Sequence, residues 1–166
     1  MEANKIIITG GATRIGAAIA KKLAKEGVEI VIHYFKSKSV AEKLKKELTD
    51  KKAKIYLVQG DLSKEPDVNK LIKFAKSKLG YFDCLVNNAS LFENDKLENF
   101  NTDSWGYHLR TNLRTPALLS KEFSKKIHME VLELPKMELL LVLPSKNLSF
   151  SVRSQEFHCL LSKESP

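Results

Sequence analysis

The segment that most constrains this chain is Thr9-Gly10-Gly11-Ala12-Thr13-Arg14-Ile15-Gly16, because of what flanks it. Residues 5–9 (KIIIT) form a short β-rich apolar run that ends at Gly10-Gly11. Beyond the glycines, Ile15, Ala18, Ile19 and Leu23 recur on one predicted helical face, and Gly27 stops that helix. Strand, glycine-rich turn, helix is an arrangement suited to a dinucleotide. Glycines let the backbone turn tightly and approach a pyrophosphate, and the helix start offers free N–H groups and a positive dipole end.

The alternation continues downstream. Residues 29–35 (EIVIHYF) read as a buried strand, and residues 39–49 as an amphipathic helix with Val40, Leu44 and Leu48 inward. Residues 55–59 form a third strand, closed by Gly60-Asp61, and Glu65-Pro66-Asp67 opens a helix running to Leu79. Residues 84–87 are a fourth strand, and Thr102 caps a long helix ending near Lys126. Strands separated by helices imply βαβ units and a doubly wound parallel sheet of Rossmann type. The expected strand order is 3-2-1-4.

Charge adds little. Of 28 basic residues 24 are Lys, and they spread along solvent faces, as at Lys21, Lys22, Lys25, Lys43, Lys45 and Lys46. With no Arg cluster interleaved with aromatics, the net charge of +8 reads as a solvated surface, and no nucleic-acid partner is expected. No apolar run approaches the ~20 residues of a membrane helix. No leader pattern precedes the first strand, and Cys84 and Cys159 make neither a disulfide framework nor a metal set. A cytoplasmic, metal-free protein is the expectation.

The glycine spacing resembles the T-G-x-x-x-G-x-G loop of short-chain dehydrogenases/reductases, with Arg14 in place of the middle glycine. That variant is similar to the pteridine reductase branch. The resemblance implies that Gly10, Arg14, Ile15 and Gly16 bind the cofactor, Arg14 by reaching a phosphate.

The second strand ends in His33-Tyr34-Phe35-Lys36-Ser37-Lys38-Ser39, which contains no acid. NAD sites place an Asp or Glu there for the ribose 2′-hydroxyl. An imidazole, an ammonium and hydroxyls suit a 2′-phosphate instead, so NADP(H) is the expected cofactor. The segment is also similar to the H-Y-x-R-S of pteridine reductases, with Lys36 in the Arg place. His33, Tyr34, Phe35, Lys36 and Ser37 are therefore candidate cofactor residues.

Asp61-Leu62-Ser63 resembles the family's D-[LV]-[ST], which implies that Asp61 accepts from the adenine amino group and that the backbone from Leu62 flanks the ring. Asp61 and Ser63 also suit helix capping. Asn87-Asn88-Ala89-Ser90 is similar to the family's N-N-A-G; Asn88, Ala89 and Ser90 are placed by it along the cofactor ribose, with the Asn side chains bracing the sheet. Asn112 matches the family's helix Asn, which bends the helix and holds a water in the proton relay. Asn inside a helix is disfavoured by propensity. Trp105 and Tyr107 read as packing.

Reduction in this family uses a Tyr acid and a Lys four residues later. No Tyr follows Tyr107, so of the catalytic set only Asn112 is present. Cys159-Leu160-Leu161-Ser162-Lys163 has the shape of Y-x-x-S-K with Cys for Tyr, a poor proton donor, and Ser145 is a weak stand-in for the family's Ser. Residues 127–166 change character: every Gly lies at or before Gly106, no Asp follows Asp103, and Leu and Ser dominate. Residues 137–143 (MELLLVL) read as a fifth strand beside the fourth, with no helix after it.

The reading is thus an incomplete Rossmann-type unit over residues 1–126 with an atypical tail over 127–166, taken as a truncated or frame-shifted remnant. The parent function it implies is NADPH-dependent reduction of a small molecule, a dihydropterin or dihydrofolate. The alternative is a non-catalytic NADP(H)-binding regulatory module. The resemblance implies a homo-oligomer built through the Asn112 helix. Leu109, Leu113, Leu118 and Leu119 are expected on one apolar face there, covered by Val131, Leu132, Leu134 and residues 139–143.

Overall fold

The computed structural model describes residues 4–92, 101–127, 138–142, 149–153 and 156–158. The first four strands are β1 (Lys5–Ile8), β2 (Glu29–Tyr34), β3 (Lys54–Gln59) and β4 (Cys84–Asn87). Helices α1 (Arg14–Leu23), α2 (Lys38–Thr49) and α3 (Glu65–Leu79) alternate with them. The strands pair in parallel in the order β3-β2-β1-β4, as the alternation predicts. Registers Ile8↔Ile32 and Ile8↔Val86 bring the carboxyl ends of β1, β2 and β4 level, so the loops after them meet at one edge.

Both faces of the sheet are covered, which is why its strands are continuous apolar runs rather than alternating ones. Ile6, Ile8, Ile30, Ile32 and Val86 pack with Ala20, Ala24, Ala41, Leu44 and Leu48 of the α1–α2 side. Ile7, Val31, Val58 and Leu85 point the other way, against Val68, Leu71, Ile72 and Ala75 of α3 and against Leu119 and Phe123. Phe82 and Phe123 stack with centroids 5.6 Å apart.

Several expectations shift in detail. Ile15 (62% exposed), Ala18 and Val40 face solvent; α1 packs instead through Gly16, Ala17, Ile19, Ala20 and Leu23, and α2 through Ala41, Leu44 and Leu48. Small residues suffice on α1 because it lies close over the β1 loop. The helix expected over 102–126 is broken. It comprises α4 (Thr102–Leu109), a π-helical turn (Arg110–Arg114) and α5 (Thr115–Ile127). Its N-cap is Asn101, whose side chain accepts from the Ser104 N–H, rather than Thr102. The wide turn rotates the face that follows it. Leu109 and Leu113 are exposed while Leu119 is buried and Leu118 packs against the α3 side; at about 100° per residue Leu118 already lies opposite Leu109, so the four do not form one face.

The expected fifth strand is present as β5 (Glu138–Val142), parallel to β4. Two strands with no counterpart in the sequence reading follow it: β6 (Ser149–Arg153) and β7 (Glu156–His158), both antiparallel, complete a sheet of order β3-β2-β1-β4-β5-β6-β7. The expected apolar cover from Val131, Leu132 and Leu134, the Ser145 stand-in and the Cys159–Lys163 echo lie outside the described residues.

Candidate nucleotide-binding site

Strand order reverses between β1 and β4, and ligands of doubly wound sheets lie at that crevice, beyond the carboxyl ends. Here Thr9 is the hub. Its hydroxyl donates to the Val86 carbonyl at 3.3 Å and accepts from the Asn88 and Ala89 N–H groups, both at 3.0 Å. The Asn88 side-chain amide returns the tie, donating to the Thr9 carbonyl at 2.9 Å and the Gly10 carbonyl at 3.1 Å. The loops after β1 and β4 are thus locked by side-chain bonds rather than by a ladder. Thr9 was not singled out from sequence; a buried hydroxyl at a strand end beside a glycine pair is the signal that could have found it.

Gly10 adopts φ +60, where a side chain is strained. Gly16 faces a close approach: a Cβ there would lie 2.4 Å from the Gly10 carbonyl oxygen and 2.6 Å from the Asn88 amide nitrogen. Arg14 also has positive φ, +48, and opens α1 exposed to solvent with Ile15.

The start of α1 fits an anion. Its first intrahelical donor is the Ala17 N–H, to the Thr13 carbonyl, so the N–H groups of Arg14, Ile15 and Gly16 precede it. No side chain caps the helix and its first turn holds no acid. Helix α2, which follows Phe35-Lys36-Ser37, is likewise uncapped and acid-free in its first turn, with Ser37 at its N-cap. By contrast α3 carries Glu65 and Asp67 in its first turn, and α4 carries Asp103 and the Asn101 cap.

The second-strand residues divide. Phe35 and Lys36 are exposed, the Lys36 ammonium 5.1 Å from the centre of the Phe35 ring. Tyr34 is buried in the core beside α2. His33 is buried with both ring nitrogens engaged: Nδ1 accepts from the Gly10 N–H at 3.2 Å, and Nε2 lies 3.0 Å from the Gly60 carbonyl. Direct contact of the His33 and Tyr34 side chains with a 2′-phosphate is thereby corrected. Packing has claimed both, and burial holds the His33 pKa below its ordinary value against the raising effects of the Gly60 bond and of Asp67 and Asp61.

Asp61 does not cap α3, whose N-cap is Lys64 with no side-chain bond. Its Oδ1 accepts from the N–H and the hydroxyl of Ser63 at 3.1 and 2.8 Å, while the Asp67 carboxylate accepts from the Asp61 N–H at 2.7 Å. The broken helix reaches this loop. Tyr107 places its hydroxyl 3.5 Å from Asp61 Oδ1, Arg114 donates to the Ser63 carbonyl at 3.1 Å, and Thr115 donates to the Leu62 carbonyl at 2.5 Å. Leu62 itself is buried among the α3-side apolar residues. Tyr107, Arg114 and Thr115 were not foreseen as supports of this loop. Asn112 lies in the π turn, as the expected local bend requires, and its amide pairs with the backbone of Leu91, accepting from N–H at 2.7 Å and donating to C=O at 2.8 Å. Ser90, just before Leu91, is exposed.

The short chain dehydrogenase family model matches residues 4–131. The chain belongs to this family. It is 32% identical over 108 residues to a 3-oxoacyl-(acyl-carrier-protein) reductase of Staphylococcus epidermidis, covering 65% of this chain and 44% of that protein. A short-chain dehydrogenase from Burkholderia cenocepacia, solved with NADP, superimposes with a TM-score of 0.70 at 29% identity, over 74% of this chain and 50% of that one. FolM alternative dihydrofolate reductase 1 from Brucella canis, also complexed with NADP, gives a TM-score of 0.66 at 36% identity, over 72% of this chain and 48% of that one. The chain therefore spans about half the length of these relatives. Among the described residues no helix is long and apolar enough to cross a membrane, and no group of three or more His, Cys, Asp or Glu is placed to hold a metal.

Proposed function

We propose that residues 1–126 form the NADP(H)-binding unit of a cytoplasmic short-chain reductase acting on a small carbonyl or imine, foremost a dihydropterin or dihydrofolate. The observation that carries the cofactor choice is electrostatic: the acid-free turn with exposed Lys36 stands before an uncapped, acid-free helix start. An ammonium and free amides favour a 2′-phosphate there; the acid that would favour a bare ribose is missing. The N–H groups of Arg14, Ile15 and Gly16 and the Arg14 guanidinium suit the pyrophosphate, with Gly10 and Gly16 allowing its approach. Lys36 and Ser37 serve the 2′-phosphate, with the Phe35 backbone beside them. Asp61 and the Leu62 backbone serve the adenine, and Asn88, Ala89 and Ser90 the ribose. When bound, NADPH supplies the hydride. Asn112 positions the Leu91 backbone at the active-site edge.

The pteridine assignment rests on Arg14 in the place of a loop glycine and on the 36% identity to an alternative dihydrofolate reductase. The second reading, a non-catalytic NADP(H)-binding module, is favoured by one fact: no Tyr follows Tyr107 in these 166 residues.

Titrating the full chain with NADPH and NADH, followed by nucleotide fluorescence, tests the cofactor. Tighter NADPH is expected, and Lys36→Glu should weaken NADPH about tenfold or more with a smaller effect on NADH. Equal affinities would sink the assignment. Adding a dihydropterin separates the two functions. The chain as given should not oxidise NADPH above background, since proton transfer is worth ~10²–10⁴-fold. Robust turnover would remove the module reading, and its loss on Cys159→Ala would make that thiol the donor.

A further inference from the structure

The His33 imidazole is buried beside the phosphate loop with both ring nitrogens engaged, and the roles assigned above leave it without a task. Its surroundings define its protonation. The Gly10 N–H can only donate, so Nδ1, 3.2 Å away, must carry a lone pair. The Gly60 carbonyl can only accept, so Nε2, 3.0 Å away, must carry the proton. One neutral tautomer satisfies both bonds. The other would set two donors against each other at Gly10 and leave the Gly60 oxygen facing a lone pair. The cation restores the Gly60 bond and loses the Gly10 one.

The backbone of the same residue adds a third tie, with the Gly11 N–H donating to the His33 carbonyl at 2.9 Å. One residue of β2 thus holds two successive peptides of the β1 loop and reaches across to the end of β3. The peptide it holds through Nδ1 belongs to the left-handed Gly10, whose carbonyl is in turn fixed by Asn88. The two sides of the Gly10 residue are therefore gripped by two side chains, from β2 and from the loop after β4.

We propose that His33 is a positioning residue for nucleotide binding, which sets the Gly10 peptide of the phosphate loop through its neutral Nε2–H tautomer. This rests on the nucleotide-binding reading, but the tie can be measured without nucleotide. The charged groups facing the ring are Asp67 and Lys70 from α3 and Asp61 from the loop after β3. The two acids favour the cation; burial outweighs them and keeps the ring neutral.

The unfolded ring titrates near its ordinary value of ~6.5 and the folded ring below it. Above that range both states are neutral and the tie is fully present. As pH falls, the unfolded chain takes up the proton first and stability declines; the tie itself is lost only at lower pH, when the folded ring is protonated.

The experiment uses the full chain labelled with ¹⁵N. Long-range proton–nitrogen correlation at neutral pH should find the His33 Nδ1 unprotonated and Nε2 protonated; the opposite tautomer, or an averaged ring, would overturn the tie. NADP⁺ titrations then compare variants. His33→Asn can present an oxygen near the Nδ1 position and should bind within about threefold of the parent, while His33→Leu should bind about tenfold more weakly or worse. If His33→Leu fails to fold, His33→Gln, which reaches toward Gly60 but leaves Gly10 without its acceptor, should show the same weakening. Parent-like binding by a folded Leu or Gln variant overturns the proposal. Parent and His33→Asn should run parallel down to the ordinary imidazole range, and the parent alone should lose affinity below it, where the folded ring takes up its proton, the ligand's own titration being common to both; profiles that already diverge above that range count against a buried neutral ring. A parent chain that holds the expected tautomer yet binds no NADP⁺ defeats the nucleotide reading and not the tie.

Discussion

The two ends of the parallel sheet are held together by different chemistry. At the amino end the ties are charged and wet. The Asp83 carboxylate accepts from the backbone N–H groups of Asn4 and Lys5, and the Lys5 ammonium donates to the Leu79 carbonyl and lies 4.0 Å from the Tyr81 ring centre. Nearby Lys52 pairs with Glu26, both side chains more than 70% exposed. At the carboxyl end the ties are neutral and buried or half-buried: the Thr9 hydroxyl, the Asn88 amide and the His33 imidazole, each with two or more bonds. Water replaces a lost partner more readily at the first end than around the buried Thr9 and His33 of the second. Removal of one group should therefore be tolerated at the amino end and punished at the carboxyl end.

Substitutions can break or sharpen that contrast. The largest effect is expected from Gly16→Ala, because its Cβ would meet the Gly10 oxygen, the Asn88 nitrogen and Gly11 Cα at 2.4, 2.6 and 2.8 Å. Two of those neighbours are backbone and cannot swing away. Urea unfolding should register a loss of about 3 kcal/mol or more, and a mild effect would mean that the loop is looser than these contacts require. Thr9→Val keeps the shape but strips an acceptor from two amides, and should cost about 2 kcal/mol by the same measurement. Asn112→Ala removes the pairing with Leu91 at a half-buried site; a loss of about 1 kcal/mol is expected, with faster hydrogen exchange at the Leu91 amide. Glu26→Gln, at the wet end, should shift stability by less than about 0.5 kcal/mol, and less still in high salt. A cost at Glu26 rivalling that at Thr9 would erase the distinction between the ends.

Much of this architecture was readable because burial on both faces writes strands as apolar runs. Strand β4 is found at its predicted bounds, and β1, β2 and β3 differ by a residue at one end. The Glu-Pro-Asp start and Gly80 mark the limits of α3, whereas α1 stops at Leu23 with Ala24 at its C-cap, before the expected stop at Gly27. Side-chain roles were harder, because residue type does not say which neighbour will claim a polar atom. His33 has the chemistry of a phosphate ligand and is spent inside the protein. Tyr107 reads as packing and lies beside Asp61. Asn112 marks the place of the helix bend but not its form, because a π turn has the same local composition as a regular helix. Strand β6 was missed although Ser149-Phe150-Ser151-Val152 alternates, since four residues of period two are common by chance.

Arg14 brings out a tension of another kind. A branched cationic side chain occupies a left-handed backbone position, φ +48, at the mouth of α1, where the family pattern carries a glycine. Holding an L-residue there costs about 1 kcal/mol, which glycine would largely relieve. Selection for stability alone would therefore tend to erase the arginine. Position 14 is therefore where stability and anion binding pull apart, whereas Gly10 and Gly16 are demanded by sterics whether or not an anion is bound.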